Sequence, residues 1–377
     1  ESLATVKQMK KAGEKPAWSH PFEGRAKMPF EDPFCPTEIS HQVLQAYVTF
    51  AVFDVARRGH LGISPESYLR QNGELFAPLT RVAAENPHAW FRRIRTVEEL
   101  ISPKSENRMV AHPYPKNMMA MLDIDMGAAL LLASEEKADA LGVPQDRRVY
   151  LRGWCNTKDP ARVAERRELS RSVGMEEASR TALLTAGVGL DEIGHFDLYS
   201  CFPASVNFAL DALGMSAQDT RGLTVTGGLP YHGGPGSNYL AHSIANLVHR
   251  LREDPAGYGL ATGVGMHLVN HSYGIYSATP GALPMPDEAA AQSRTDAAER
   301  CLIRDTASGP AHVAAYTVVH GREGRRFGVA VCDLPGGERC YARTQEESLM
   351  EAMETTEWVG RAIRIEEGEG AVNQIVG

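Results

Sequence analysis

Between residues 148 and 280 strand-like and helix-like stretches alternate: RVYLRGW, a helix over 175–186, HFDLYSCF, the helix PASVNFALDALG, LTVTGG, a helix over 237–252, GLATGVG and YGIYSA. Short apolar runs that take turns with amphipathic helices cannot all be buried in a pure sandwich or a pure bundle. They require helices laid over a sheet, which is a layered α/β domain. The helix over 237–252 carries the stripe this demands, since Leu240, Ile244, Leu247, Val248 and Leu251 share one face.

The 377 residues exceed the roughly 100–200 of a single ordinary domain, so further units are expected on either side. A helix over 1–13 leads into 14–37, where Pro16, Pro21, Pro29, Pro33 and Pro36 predict an extended connector. Apolar residues at three- and four-residue steps predict a buried helix over 40–57, and a second helix follows over 73–86. The segment 86–125 reads as loop-rich, and MGAALLLASEEKADALGV as a buried strand feeding a helix that ends at Gly142. PGALPMPDEAAAQSR has the Pro and Ala content of an interdomain linker. Beyond it HVAAYTVVH, RRFGVAVCDL and RCYART, punctuated by GREG and PGGE, predict a small antiparallel β barrel or sandwich. The expected units are therefore 1–145, 146–283, a linker over 284–294, and a β domain over 295–377. The chain opens at Glu1 without an initiator Met or a signal-peptide pattern, and an N-terminal portion is expected to precede it.

Composition narrows the function classes. No apolar run approaches the roughly 18 residues of a membrane span. A net charge of −8 offers no chain-wide attraction to phosphate backbones, so nucleic acid is not an expected partner. The six cysteines form no C-x-x-C pair, which points away from a zinc site or a disulfide framework and toward a reducing cytoplasm.

Four stretches, in order over about 38–280, resemble the thiolase family. DIDMGAALLLAS is similar to its D-G-A-A-A-L strand, and HFDLYSCFPASV to its N-E-A-F or H-D-C-F strand-to-helix junction. TGGLPYHGGPGSNYLAHSI resembles its G-G-x-x-x-x-G-H-P-x-G-A-S-G loop, and GLATGVGMHLVNHSYGIYS its G-L-A-x-x-C-x-G-G-G segment. Phe202 matches the family's Phe, while Tyr199 stands where the family keeps Asn or His over the thioester carbonyl. Gly234 stands where the catalytic His is expected, with His232 the nearest imidazole, and Val264 replaces the second catalytic Cys, with His267 and His271 just beyond it. Cys201 aligns with a packing position.

The resemblance implies a thiolase fold, layered α-β-α-β-α, lacking much of its N-terminal half, with 1–145 ending the first thiolase domain and its inserted loops. It implies an OB-like C-terminal barrel, of the kind carried by the branch labelled lipid-transfer or acetyl-CoA acetyltransferase proteins. Coenzyme A, as an acyl-CoA substrate, is the implied ligand and lipid metabolism the setting. Tyr199, His271 and His232 are the catalytic candidates. Gly233, Gly234 and Gly236, whose backbone N–H groups can approach a ligand at a helix start, form the binding candidates with Ser237 and Asn238. The nucleophile would lie before Glu1. Three chemistries stay open: acyl transfer, retro-aldol cleavage of a β-hydroxyacyl-CoA with Tyr199 or His271 as base, and a non-catalytic CoA or lipid carrier with the β domain as its protein-binding surface. A homodimer is left open, and no metal is expected.

Overall fold

The computed structural model describes residues 8–9, 11–13 and 34–376. Most of the expected helix over 1–13 and of the connector over 14–37 lies outside the described residues. In chain order α1 (Pro36–Ser40), α2 (Ala46–Leu61), α3 (Pro65–Glu85) and α4 (Val97–Ile101) lead to β1 (Met109–Ala111) and β2 (Tyr114–Pro115). Next come α5 (Glu135–Ala140), β3 (Tyr150–Lys158), α6 (Val173–Ala186), β4 (Ile193–Asp197), α7 (Pro203–Leu213), α8 (Tyr239–Glu253), β5 (Tyr258–Gly265) and β6 (Asn270–Ser277). The chain finishes with α9 (Glu288–Asp296), β7 (Gly309–His320), β8 (Arg325–Asp333), β9 (Arg339–Thr344), α10 (Glu347–Thr355), β10 (Ala362–Glu367) and β11 (Asn373–Val376).

The alternating region forms a four-stranded sheet in the order β3-β6-β5-β4, with β4 and β5 parallel and the other pairs antiparallel. Leu260, Ile275 and Gly153 lie side by side on one face, where a Cβ on Gly153 would stand 2.6 Å from the Ala182 carbonyl of α6. On the opposite face a Cβ on Gly259 would stand 2.6 Å from Leu247 of α8. Helices thus cover both faces, and glycine is required where they approach most closely. This is the layered α/β arrangement that the alternating sequence predicts, one sheet with helices on both faces.

The C-terminal strands close into a five-stranded barrel, β7-β8-β9-β11-β10 and back to β7. It is not wholly antiparallel as expected, because β9 and β11 run parallel. The barrel rests on α2, which is buried over most of its length, from Val48 to Arg58, and ends at Gly62 in the left-handed region (φ 65°). Arg58 crosses the junction. It donates to Glu357 at 3.0 Å through Nε and through Nη2, and to the Tyr316 hydroxyl at 2.5 Å. Tyr341 of β9 reaches back to the buried Glu38 carboxylate at 2.8 Å. One apolar core runs from the sheet layer through α2 to Ala315, Val319, Phe327 and Tyr341 of the barrel wall, and a second, around Trp358, fills the barrel.

Several sequence expectations are corrected. Pro36 does not extend the connector but opens α1 at a first-turn position, where its missing N–H costs nothing. The helix expected from 40 begins at Ala46, and the one expected from 73 begins at Pro65 behind a Ser64 cap. The apolar run at 126–134 is not a buried strand. It pairs with no strand among the described residues, and Leu131 and Leu132 are 94% and 88% exposed. LTVTGG is not a strand either, for a reason the site makes plain. Within the expected linker α9 forms and docks, Glu288 accepting from the Asn156 backbone N–H at 2.7 Å and Gln292 exchanging bonds with the Lys158 backbone at 2.8 and 2.9 Å.

Candidate functional site

The carboxylate that ends β4 organises the site. Asp197 is fully buried and accepts from the hydroxyls of Thr224 (2.6 Å) and Thr226 (3.0 Å) and the amides of Val225 (3.1 Å) and Thr226 (3.2 Å). Burial pushes its pKa up against these donors. By wrapping 224–226 around one carboxylate, the chain gives up ladder pairing there, which is why LTVTGG is no strand. Tyr239, at the start of α8, completes the cluster with its hydroxyl 2.7 Å from Thr226 Oγ1 and 3.3 Å from Asp197 Oδ2.

Tyr199 sits on this platform. Its ring meets Tyr239 edge-on, with centroids 5.6 Å apart at 89°, and its backbone N–H donates to Thr262 Oγ1 of β5 at 2.8 Å. Burial, and then the neighbouring Cys201, push the phenol far above its usual range. A half-buried phenol shifted this way stays protonated, which counts against the expected use of Tyr199 as a base. Two residues on, burial pushes the Cys201 thiol up to about 12, and Phe202 stacks on Phe50 at 4.7 Å, so Cys201 packs rather than reacts.

Residues 119–121 thread between the two motif loops. The Ala120 amide donates to the Cys201 carbonyl at 2.8 Å, and the Gly234 amide donates to the Met121 carbonyl at 2.9 Å. The Gly236 amide is spent on the Gly234 carbonyl at 2.8 Å. Two of the three amides expected to face a ligand are therefore committed inside the protein. Gly233 has φ 122°, and a Cβ there would lie 2.7 Å from Met126 Sδ, so this glycine is fixed by close approach. Asn238 clasps the backbone of Ala128 from both ends of its amide, at 3.0 and 3.2 Å, while Ser237 is exposed.

The three catalytic candidates do not converge. His232 points into the core between Asn86 and His242, its Nε2 3.4 Å from His242 Nδ1 and its ring 6.2 Å from Tyr239. Burial, then His242 and His88, lower its pKa to about 4, so it is neutral. Tyr199 and His232 thus flank the same Tyr239 ring. His271 faces α6 instead. Its Nε2 lies 2.9 Å from Asp159 Oδ2 and 3.3 Å from Ser172 Oγ, and Ser172 also donates to Asp159 and caps α6 at Met175. Burial raises the Asp159 carboxyl, but the His271 bond and the Arg166 charge outweigh it and hold the pKa well below the carboxylate range. A Ser-His-Asp relay needs the two ring nitrogens to take different partners. Here Asp159 and Ser172 share one, and Nδ1 is buried without a partner among the described residues, so the cluster is a buried cap. His267 is likewise held, 2.7 Å from Thr49.

Asp197 and Tyr239, which shape the site most, escaped the sequence reading; the acid's place directly before LYSCF was the available signal. Among the described residues no group of three or more His, Cys, Asp or Glu could hold a metal ion, and no helix is long and apolar enough to cross a membrane. No family model matches the chain, and no curated protein matches it. Among solved structures, a monomeric SCP2-thiolase-like protein of type 1 from Mycobacterium smegmatis is 36% identical, with a TM-score of 0.85 over 92% of this chain and 76% of that one. The chain belongs to the SCP2-thiolase-like proteins.

Proposed function

We propose that this protein binds acyl-CoA thioesters, with the Tyr199 phenol donating to the thioester carbonyl, and that ordinary thiolysis is not its chemistry. The observation that carries the reading is Tyr199 itself: among the aligned catalytic positions it alone keeps a polar side chain, with its ring packed edge-on against Tyr239 and its phenol kept protonated by burial. Gly234 and Val264 cannot move a proton, and His232, the nearest imidazole to the first of them, is neutral and turned into the core. These features favour binding, in a carrier or in an acyltransferase whose nucleophile lies elsewhere. They disfavour retro-aldol cleavage, because neither Tyr199 nor His271 is presented as a free base. The barrel's strand order supports the OB-like reading, and its outer surface is where a protein partner would dock.

Tyr199→Phe keeps the ring and removes the donor. Isothermal titration with acetyl-CoA and a longer acyl-CoA is expected to show affinity reduced by about two- to tenfold, the value of one hydrogen bond, with the melting temperature unchanged. Equal affinity in the variant, or no binding by the parent protein, would sink the reading. Intact-mass measurement after the same incubation separates the roles, because acyl transfer leaves an added mass and carriage does not.

A further inference from the structure

A cavity of about 460 Å³ opens between α3 and α7, and Tyr199 is not part of its lining. Its volume is within the roughly 300–1,000 Å³ of small-molecule sites. The floor is apolar, built from Leu75, Leu79 and Val82 of α3, Leu210 of α7, and Met215 and Leu223 beyond it. The polar wall has a sign. Arg57, Glu74, Asp211 and Asp219 line it, and with Arg221 standing on Asp219 from outside the lining the balance is three carboxylates to two guanidinium groups. Arg57 is bound to Asp211 through two hydrogen bonds of 2.6 and 2.8 Å, and Asp219 is held by Arg221, whose closest contact is 2.6 Å. Glu74, exposed, is the carboxylate left over; Arg70, one turn earlier on α3, pairs with Glu98 and acts on Glu74 only electrostatically.

An apolar pocket with a surplus negative charge at its rim attracts a ligand of the opposite pattern. We infer that this cavity is a second ligand site, selective for a small molecule with an apolar body and a cationic head. The same rim repels carboxylate amphiphiles and the phosphates of coenzyme A, so the site is chemically distinct from the acyl-CoA site proposed above and does not depend on it.

Three matched fluorescent probes test this on the full chain: 1-naphthylmethylammonium, 1-naphthylmethanol and 1-naphthoate. Saturable binding is expected in the order cation, alcohol, carboxylate, and excess coenzyme A should displace none of them. Glu74→Gln, a surface change that leaves the fold intact, should reduce the preference for cation over alcohol by about two- to fivefold, the size of an exposed charge pair. Met215→Trp, which fills the floor, should abolish binding of all three at an unchanged circular dichroism spectrum. If Met215→Trp disturbs the fold, Glu74→Gln alone decides. Absence of saturable binding, equal binding of carboxylate and cation, an unaltered preference in Glu74→Gln, or competition by coenzyme A would each overturn the assignment.

Discussion

Asp54 and Asp197 lie in fully buried settings without a direct ion pair among the described residues, and both accept from neutral donors. Asp54 accepts from the hydroxyls of Tyr68 (2.6 Å) and Tyr114 (2.9 Å) and from the amides of Asn72 (3.1 Å) and Asn207 (3.3 Å). Burial raises both carboxyls above the ordinary range. Nothing in the composition separates such an acid from a solvated one, because the donors that satisfy Asp54 come from α3, the β2 strand and α7. The two substitutions of Asp197 should therefore differ. Asp197→Ala leaves the Val225 amide without its acceptor and weakens the network of Thr224, Thr226 and Tyr239, which keep bonds to one another, and buried donors left without a partner cost about 1–3 kcal/mol each. Partial relaxation leaves an expected loss on the order of 3 kcal/mol. Asp197→Asn keeps an acceptor toward the threonines and resembles the protonated acid, so its loss should be less than half as large. Urea unfolding of the two variants makes the comparison, and equal losses would mean that negative charge, rather than acceptor geometry, holds the loop.

At the scale of elements, what was legible is what periodicity encodes. β3, α6, β4, α7, α8, β5 and β6 follow from apolar patterns, and β7 to β9 from strand-length runs between turns. The errors fall where a side chain replaces a backbone partner, or where no partner is present. At 224–226 a carboxylate takes the amides a strand would use, and 126–134 meets no strand among the described residues. α9 escaped because it docks by polar side chains, so its few apolar residues carry no stripe. The glycines of 233–236 were legible as special, but not what their amides would bind. For α9 the docking gives a direct test. Glu288 holds both the backbone and side-chain nitrogens of Asn156 at 2.7 Å, and Glu288→Ala removes both bonds at a solvent-exposed edge. The expected loss is about 1 kcal/mol, with faster hydrogen exchange at the Asn156 and Lys158 amides while β5 stays protected. Unchanged exchange at Asn156 would show that α9 is held by packing alone.

The whole molecule has a built-in pH dependence, because neutral histidines are buried in separate sectors. His112 lies 3.2 Å from Arg58 at the barrel junction, His232 lies in the motif loop, and His267 lies against Thr49 and the Phe34 ring. Each has its pKa lowered to about 4, first by burial and then by neighbours: Arg58 beside His112, His242 near His232, and Arg166 near His267. In the unfolded chain the same groups titrate near 6.5. Between about pH 6.5 and 4 the unfolded state therefore binds protons at these three histidines that the folded state refuses, and their contribution lowers stability as the pH falls through that window, while the raised carboxyls of Asp54 and Asp197 act with the opposite sign. Asp159 adds to the loss only under more acid conditions, since its folded pKa is depressed and its contribution is intact above the ordinary aspartate value near 3.9. Replacing one histidine with a side chain that does not titrate should flatten the slope by up to about 1.4 kcal/mol per pH unit, the linkage of one proton. His267→Gln, at a half-buried position, is the mildest such change. Unfolding free energies measured from pH 7.5 to 4.5 for parent and variant decide the point through their difference, in which Asp54 and Asp197 cancel: a flatter slope in the variant is expected, and parallel slopes would remove His267 from the set.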